Sequence, residues 1–323
     1  MRKRTAYTLL AVFAFVCALG VALYLRQQAP PEAARLLPES DAIVFLNVRP
    51  IRAATHFDRD PISPNSFQDF IAATGILPER DIDSAAFALH RMDDPRGPNG
   101  PVGFSEVFEG RFDRARLGAW LKANSSAQED YAGRTIYSIP SEGRIVRVAL
   151  LGYDMVAASN MPTTEQIHSI LDRQRAAASP FAGSSLLNAR FRDVPAFSTA
   201  WAVGRIGLPF ASQGRISVLG LELPLPADTT FVASLRFTTA LHLRIDEITP
   251  SDDDAARSAR ALNDLLSLAR TIQLAQQPLA RTPSDRALRQ FAESIVIEPH
   301  KDRATLIATL PVDALRQLNS QSP

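Results

Sequence analysis

From Phe231 to Ile248 apolar and polar positions alternate. Phe231, Ala233, Leu235, Phe237, Leu241, Leu243 and Ile245 share one side of a period-two pattern, and Ser234, Arg236, His242, Arg244 and Asp246 share the other. Successive strand residues point to opposite faces, so this pattern predicts an antiparallel hairpin with its apolar face on a core and its polar face in water. Ser251-Asp252-Asp253-Asp254 follows, a hydroxyl and three carboxylates suited to the orphan amides and positive dipole end of a helix. Leu262, Leu265, Leu266, Ala269 and Ile272 stand at helical spacing behind it, with Pro278 as the stop. A further hairpin is predicted from Ile295–Ile297 and Leu306–Leu310, and a last helix from about Pro311 to Leu318.

The first half carries the same kinds of signal. Asp41 to Val48 reads as a buried strand, Ser66 to Thr74 as a helix stopped by Gly75, and Ala85 to Met92 as an extended segment before a turn-rich stretch ending at Gly100. Val102 to Phe112 predicts a strand. Asp113 then caps a helix with Leu117, Trp120 and Leu121 on one side. Arg144–Leu151 and Met155–Ser159 form a hairpin around Gly152-Tyr153-Asp154, and Pro162 to Gln174 puts Ile167, Ile170 and Leu171 on one helical stripe. The alanine-rich stretch before Gly183 marks a boundary, so the body divides into lobes at 36–178 and 179–323. Leu37-Pro38 and Leu225-Pro226 each open an extended run, and Phe112–Leu121 and Leu310–Leu318 each turn a strand into a helix, which suggests a duplicated unit. The expected fold class is α+β: antiparallel sheets with helices packed on one face, in two similar lobes.

Thr5 to Leu25 is a run of apolar residues without a charge. At about 1.5 Å per residue such a helix reaches roughly 30 Å, the depth of a bilayer core. Arg2, Lys3 and Arg4 precede it, so the positive-inside bias holds residues 1–4 in the cytoplasm and places everything downstream outside it. Residues 5–25 are expected to be a signal-anchor helix in the inner membrane, and 26–35, with Pro30-Pro31, a stiff tether to a periplasmic body. A cleaved signal peptide ending at Ala18-Leu19-Gly20 is the alternative, and it exports the body equally. Cys17 follows Val16, where lipoprotein processing prefers a small residue.

Charge narrows the partners. Of 35 Lys and Arg, Arg2, Lys3, Arg4 and Arg26 flank the apolar run, which leaves 31 against 34 Asp and Glu. A mildly acidic body has no general positive face for phosphates, so nucleic acid is not an expected partner. Cys17 is the sole cysteine, which excludes an intrachain disulfide and a thiolate metal cluster.

Chemistry is sparse. His56, His90, His168, His242 and His300 form no metal-ligand spacing with one another. His242 beside Asp246 is the most suggestive, yet a solvated strand face of mixed charge explains it. Ala182-Gly183-Ser184-Ser185-Leu186 lacks the second glycine of a nucleophile elbow, and Ser184 or Ser185 reads as a helix cap. Gly204 and Gly207 do not make a phosphate loop. Asp81 with Asp83, Asp93-Asp94 and Asp252–Asp254 lack the alternate spacing and distal glutamate of an EF-type calcium loop. No catalytic, cofactor or metal residues are assigned, and no cofactor is expected.

Leu37-Pro38-x-x-Asp41-Ala42 before a strand, Gly110-Arg-Phe-Asp113 at a strand-to-helix junction, and Tyr131-Ala-Gly-Arg-Thr-Ile-Tyr137 together resemble uncharacterised, N-terminally anchored proteins of the bacterial envelope. That resemblance implies no activity and no site residues. The expected task is a non-catalytic interaction or scaffold role with an envelope protein partner. A carrier of lipid or another apolar ligand, and an unrecognised envelope hydrolase, stand as alternatives.

Overall fold

A computed structural model of the chain describes residues 29–59, 68–176, 183–205, 211–212, 215–218, 221–226, 229–238, 240–276 and 283–311. The expected membrane span at 5–25, the stub before it, Pro278 and the helix beyond Pro311 lie outside the described residues. No helix among those described is long and apolar enough to cross a membrane.

Twelve strands form one antiparallel sheet that runs through both halves of the chain. At its centre β1 (Ala42–Asn47) lies between β2 (Ile82–Arg91) and β8 (Ala200–Arg205). Outward from β2 come β3 (Val102–Gly110), β7 (Met155–Ser159), β6 (Arg144–Leu150), β5 (Arg134–Ser141) and β4 (Ala127–Tyr131). Outward from β8 come β12 (Thr230–Phe237), β13 (Ala240–Ile248), β15 (Arg303–Pro311) and β14 (Val296–His300). A separate three-stranded sheet, β9 (Ala211–Ser212), β10 (Arg215–Val218) and β11 (Leu221–Pro226), is inserted between β8 and β12. The sheet therefore continues across the boundary expected at residues 178 and 179.

Helices lie on both faces, not on one as the alternating pattern suggested. The first face is covered by α1 (Glu32–Leu36), α6 (Glu165–Arg175) and α7 (Ser185–Arg190). Ala33, Ala34, Leu36, Ile167, Ile170 and Leu187 meet Ile43, Phe45, Ala86, Val107, Ala157 and Trp201 there, and all are buried. Residues 32–36, read as the end of a tether, are thus a helix whose alanines reach the core. Their polar neighbours concealed this, because only the small side chains point inward. Sealing a large apolar side chain of this kind is worth about 1.5–3 kcal/mol.

On the second face α5 (Arg114–Asn124) covers β5 and β6, and α8 (Asp252–Gln276) covers β14 and β15. Asp113 caps α5 by accepting from the amides of Ala115 and Arg116, as its sequence predicts. α3 (Gln68–Thr74) leans on α5 through an edge-to-face contact of Phe70 and Trp120, and Gly75 ends it at a φ of 73°. Three further helices complete the described set: α2 (Val48–Thr55), α4 (Pro78–Asp81) and α9 (Pro283–Ser294). The hairpin of β4 and β5 turns on Ala132-Gly133 at φ 55° and 74°, and that of β5 and β6 on Glu142-Gly143 at 50° and 77°. These primed-turn dipeptides were the signal for strands that alternation alone left unassigned.

The two halves share a path. Each starts with a short helix on the first face, α1 or α7, and then three meandering strands, β1–β2–β3 or β8–β12–β13. Each then crosses the second face as a helix, α5 or α8, and closes with a strand beside its third, β7 or β15. In this correspondence Leu37-Pro38 matches Val194-Pro195 rather than Leu225-Pro226, which lies in β11. Phe112–Leu121 likewise matches the passage from β13 into α8 rather than the one after Leu310. The halves meet where β1 pairs with β8, and Gly204 is required there. At φ 130°, a Cβ on it would stand 2.4 Å from the Asp41 carbonyl oxygen and 2.5 Å from Ala42 Cα.

Candidate functional site

Between the ground covered by α5 and that covered by α8, the second face carries no described helix over the central strands. Register places one straight row across them: Glu106 opposite Phe87, Phe87 opposite Val44, Val44 opposite Ala202, Ala202 opposite Ala233, and Ala233 opposite Ile245. A parallel row holds Phe108, Ala85, Leu46, Ala200, Leu235 and Leu243. Apart from Ala85 every one of these side chains is half-buried, whereas Ile43, Phe45, Ala86, Ala88, Trp201 and Val203, one residue along, are sealed on the other face. At about 4.8 Å per strand the row from β3 to β13 is roughly 24 Å long. The result is a continuous apolar strip that is partly exposed along its length.

Glu106 is the strip's one acidic group among the described residues of these two rows. Phe104 and Phe108 flank it along β3 and share its face, Phe87 and Ala158 lie directly across, and the Phe87 and Phe108 rings meet edge to face at 5.9 Å. Its carboxyl makes no hydrogen bond or ion pair with any described residue. Burial against this apolar ground pushes its pKa up to about 7. A carboxyl titrating near neutrality in such a place is poised to take a proton or a cation.

The covered face has polar groups too, and they are satisfied by one another. The His90 ring nitrogen Nε2 lies 3.2 Å from Ser105 Oγ, which lies 3.0 Å from Ser159 Oγ. Burial lowers the imidazole's pKa, against the opposing pull of the Asp41 carboxylate. Both hydroxyls are sealed from solvent, so no substrate reaches this His–Ser–Ser ladder and it is a structural network. Beyond it Asp246, 1% exposed, accepts from Arg244 Nε at 2.9 Å and Thr305 Oγ1 at 2.8 Å, and Arg303 comes within 3.8 Å of it. Arg303 also bonds Asp193 at 2.8 Å.

This corrects the reading of the β12–β13 hairpin. Its alternation is as expected, but Ser234 and Asp246, assigned to water, are buried, while Ala233, Leu235, Leu243 and Ile245, assigned to a core, are half-exposed. Thr305 and Arg303, brought by β15, with Asp193 in the turn after α7 holding Arg303 in place, make burial of the charge tolerable. Those partners lie far away in sequence. Asp246 does not orient His242, whose Nδ1 sits 3.4 Å from Thr309 Oγ1.

The other singled-out residues have local roles. Ser184 caps α7 by accepting from the Leu187 amide, and the Ser185 hydroxyl and amide both donate to Glu39. The Ser251 hydroxyl accepts from the Asp254 amide and donates to its carboxylate, a cap on α8. Asp81 accepts from Arg80 and the Leu77 amide, and Asp83 pairs with Arg49 and Arg52 at 3.0 Å each. Burial would raise the Asp83 carboxyl, but the two guanidinium groups outweigh it and hold it low. Asp94 accepts from the Arg96 amide in its turn. His168 stacks on Tyr131 at 3.8 Å and pairs with Glu129 at 2.8 Å, and His300 ends β14. Among the described residues no three His, Cys, Asp or Glu side chains group to hold a metal.

A second recess, of about 600 Å³, lies at the N-terminal half of α8, between Thr230, Thr249, Asp254, Arg257 and Ser258. Glu247 at its wall is raised by burial, against the bond donated by Ser258. Sequence reasoning missed both Glu106 and Glu247. Each occupies a position that alternation assigns to the apolar side of its strand, and a lone acidic residue in such a run was the available signal.

No protein-family model matches the chain, and no curated protein does. Solved structures of crystal forms III, I and IV of TP0453 are similar to it, with TM-scores of 0.48, 0.46 and 0.47 and 11% identity. Those alignments cover 90–91% of this chain and 98–99% of the others, and at that score and identity the likeness says nothing about function.

Proposed function

We propose that the protein is a non-catalytic, membrane-tethered envelope protein that binds an apolar ligand, of acyl-chain character, on the open face of its sheet. The observation that carries this reading is the half-buried row Phe87, Val44, Ala202, Ala233 and Ile245, which no described helix covers. Its length of roughly 24 Å suits an extended chain, and its centre is cut low by Ala200, Ala202 and Ala233, so that a tail lies in a shallow channel between larger side chains. The uncharged run Thr5–Leu25, with basic residues before it, supports an anchor that holds the body beside a lipid surface, its source of such ligands. The shared path of the two halves supports descent from a duplicated unit whose open faces merged into one strip.

Labelling of the full-length protein in membranes with a photoactivatable fatty-acyl probe tests the binding. Adducts are expected on β1, β8 and β12, and Ala202→Trp, which fills the channel, is expected to remove them. Adducts spread evenly over the body, or none at all, would sink the reading. A reporter fused at the C-terminus tests the compartment, and cytosolic activity of that reporter would overturn it.

A further inference from the structure

Resting on the apolar-ligand reading of the open face, we infer that Glu106, Phe87, Phe104 and Phe108 form a head-group site for an alkylammonium ion, whose hydrocarbon tail lies along Val44, Ala202 and Ala233. Three observations converge on a cation. The carboxyl sits at one end of the strip with no positive partner among the described residues, so its charge is unanswered. Phenylalanines surround it along and across the strands, and two of them meet edge to face at 5.9 Å. Aromatic faces attract quaternary and primary ammonium ions through the ring quadrupole and reject anions. Finally, the remaining strip is apolar, so a bound cation needs an apolar body. A metal ion lacks one, and a free amino acid brings a carboxylate that Glu106 and the ring faces repel.

The electrostatics give the site a pH dependence. No titratable group faces Glu106 from β2 or β7, the strands packed against its own: Phe87 and Ala158 stand opposite, with Ala85, Leu89 and Val156 on the same faces. Its protonation therefore follows its own burial, with half-ionisation about pH 7 in the empty site. A bound ammonium stabilises the carboxylate, so cation affinity rises with pH through that region. A fatty acid held by the protonated carboxyl would show the opposite trend.

The test uses the full-length protein in lipid nanodiscs and calorimetric titration with three probes of equal chain, octyltrimethylammonium, octanol and octanoate. At pH 8 the cation is expected to bind about tenfold tighter than octanol, and this margin is expected to shrink to about twofold at pH 5.5. Glu106→Gln is expected to abolish the margin at pH 8 while octanol affinity stays within about twofold, and Phe87→Leu, which keeps the apolar area, to cut the margin roughly threefold. A margin that survives in Glu106→Gln, or octanol and octanoate binding as tightly as the cation, would overturn the ammonium site and leave the open-face reading standing. If none of the three probes binds, both fall. Thermal melts of each variant separate lost binding from lost fold.

Discussion

The two faces of the central sheet are built from neighbouring residues and have opposite fates. On β1, Ile43 and Phe45 are shut beneath α1 and α7, while Val44 and Leu46 stay half-buried on the other side. On β8, Trp201 stacks on Phe45 at 5.5 Å and meets Phe191 at 5.4 Å, while Ala200 and Ala202 beside it are only half-buried. The covered face also holds the sealed polar ladders of His90, Ser105 and Ser159, and of Asp246, Thr305 and Arg303. On the open face the Glu106 carboxyl has no hydrogen-bond or ion-pair partner among the described residues. Stability therefore resides on one side of the sheet and the capacity to bind on the other, and a single step along a strand moves a residue between them.

Substitutions can break this contrast. Trp201→Ala is expected to cost about 4 kcal/mol by leaving a cavity under α7, whereas Val44→Ala, on the neighbouring strand but the open face, is expected to cost about 1 kcal/mol or less. Urea unfolding of the two variants measures both, and equal losses would mean that the open face is covered as well. Asp246→Ala is expected to cost about 3 kcal/mol, because Thr305 and the Arg303 guanidinium lose their buried acceptor. Asp246→Asn, which keeps an acceptor for Thr305, should lose less in the same assay.

The smallest effect sharpens the comparison by pH. Glu106 has a folded pKa raised to about 7 from 4.5, so the folded state holds the proton more tightly than the unfolded chain does. Stability is then highest below the unfolded value and declines as pH rises through the interval up to the folded one, by about 2 kcal/mol once the full shift is discounted for solvent screening of a side chain that is only partly buried. Glu106→Gln is expected to flatten this slope between pH 4.5 and 7 and to be the more stable protein at pH 8. A slope unchanged in the variant would place its origin elsewhere. Asp83 works the other way: Arg49 and Arg52 hold it low, and its contribution disappears only in acid.

Much of the secondary structure is legible in the chain, and the reasons are local. Ile167, Ile170 and Leu171 fall on one stripe of α6, Asp113 caps α5, Ser251 and Asp254 open α8, and Gly75 stops α3, because each signal lies within one turn of the element it governs. The candidate site is less legible. Phe87, Val44, Ala202, Ala233 and Ile245 come from five strands spread over some 200 residues, and register alone aligns them. No spacing in the sequence shows that Glu106 ends their row.

The chain by itself determined most of the strands and helices, α1 and β8 being exceptions, and that a strand such as β13 has two differing sides, since propensity, caps and period act between near neighbours. Tertiary structure alone decided which side is sealed. The covers, α1, α6 and α7 on one face and α5 and α8 toward the ends of the other, come from distant segments, and whether an apolar residue is core or surface depends on what those segments reach. Asp246 buried and Leu243 only half-buried, against their own pattern, follow from that: a charge enters the interior where remote partners answer it, and a leucine is sealed only in part at the flank of the helices that pack on β15.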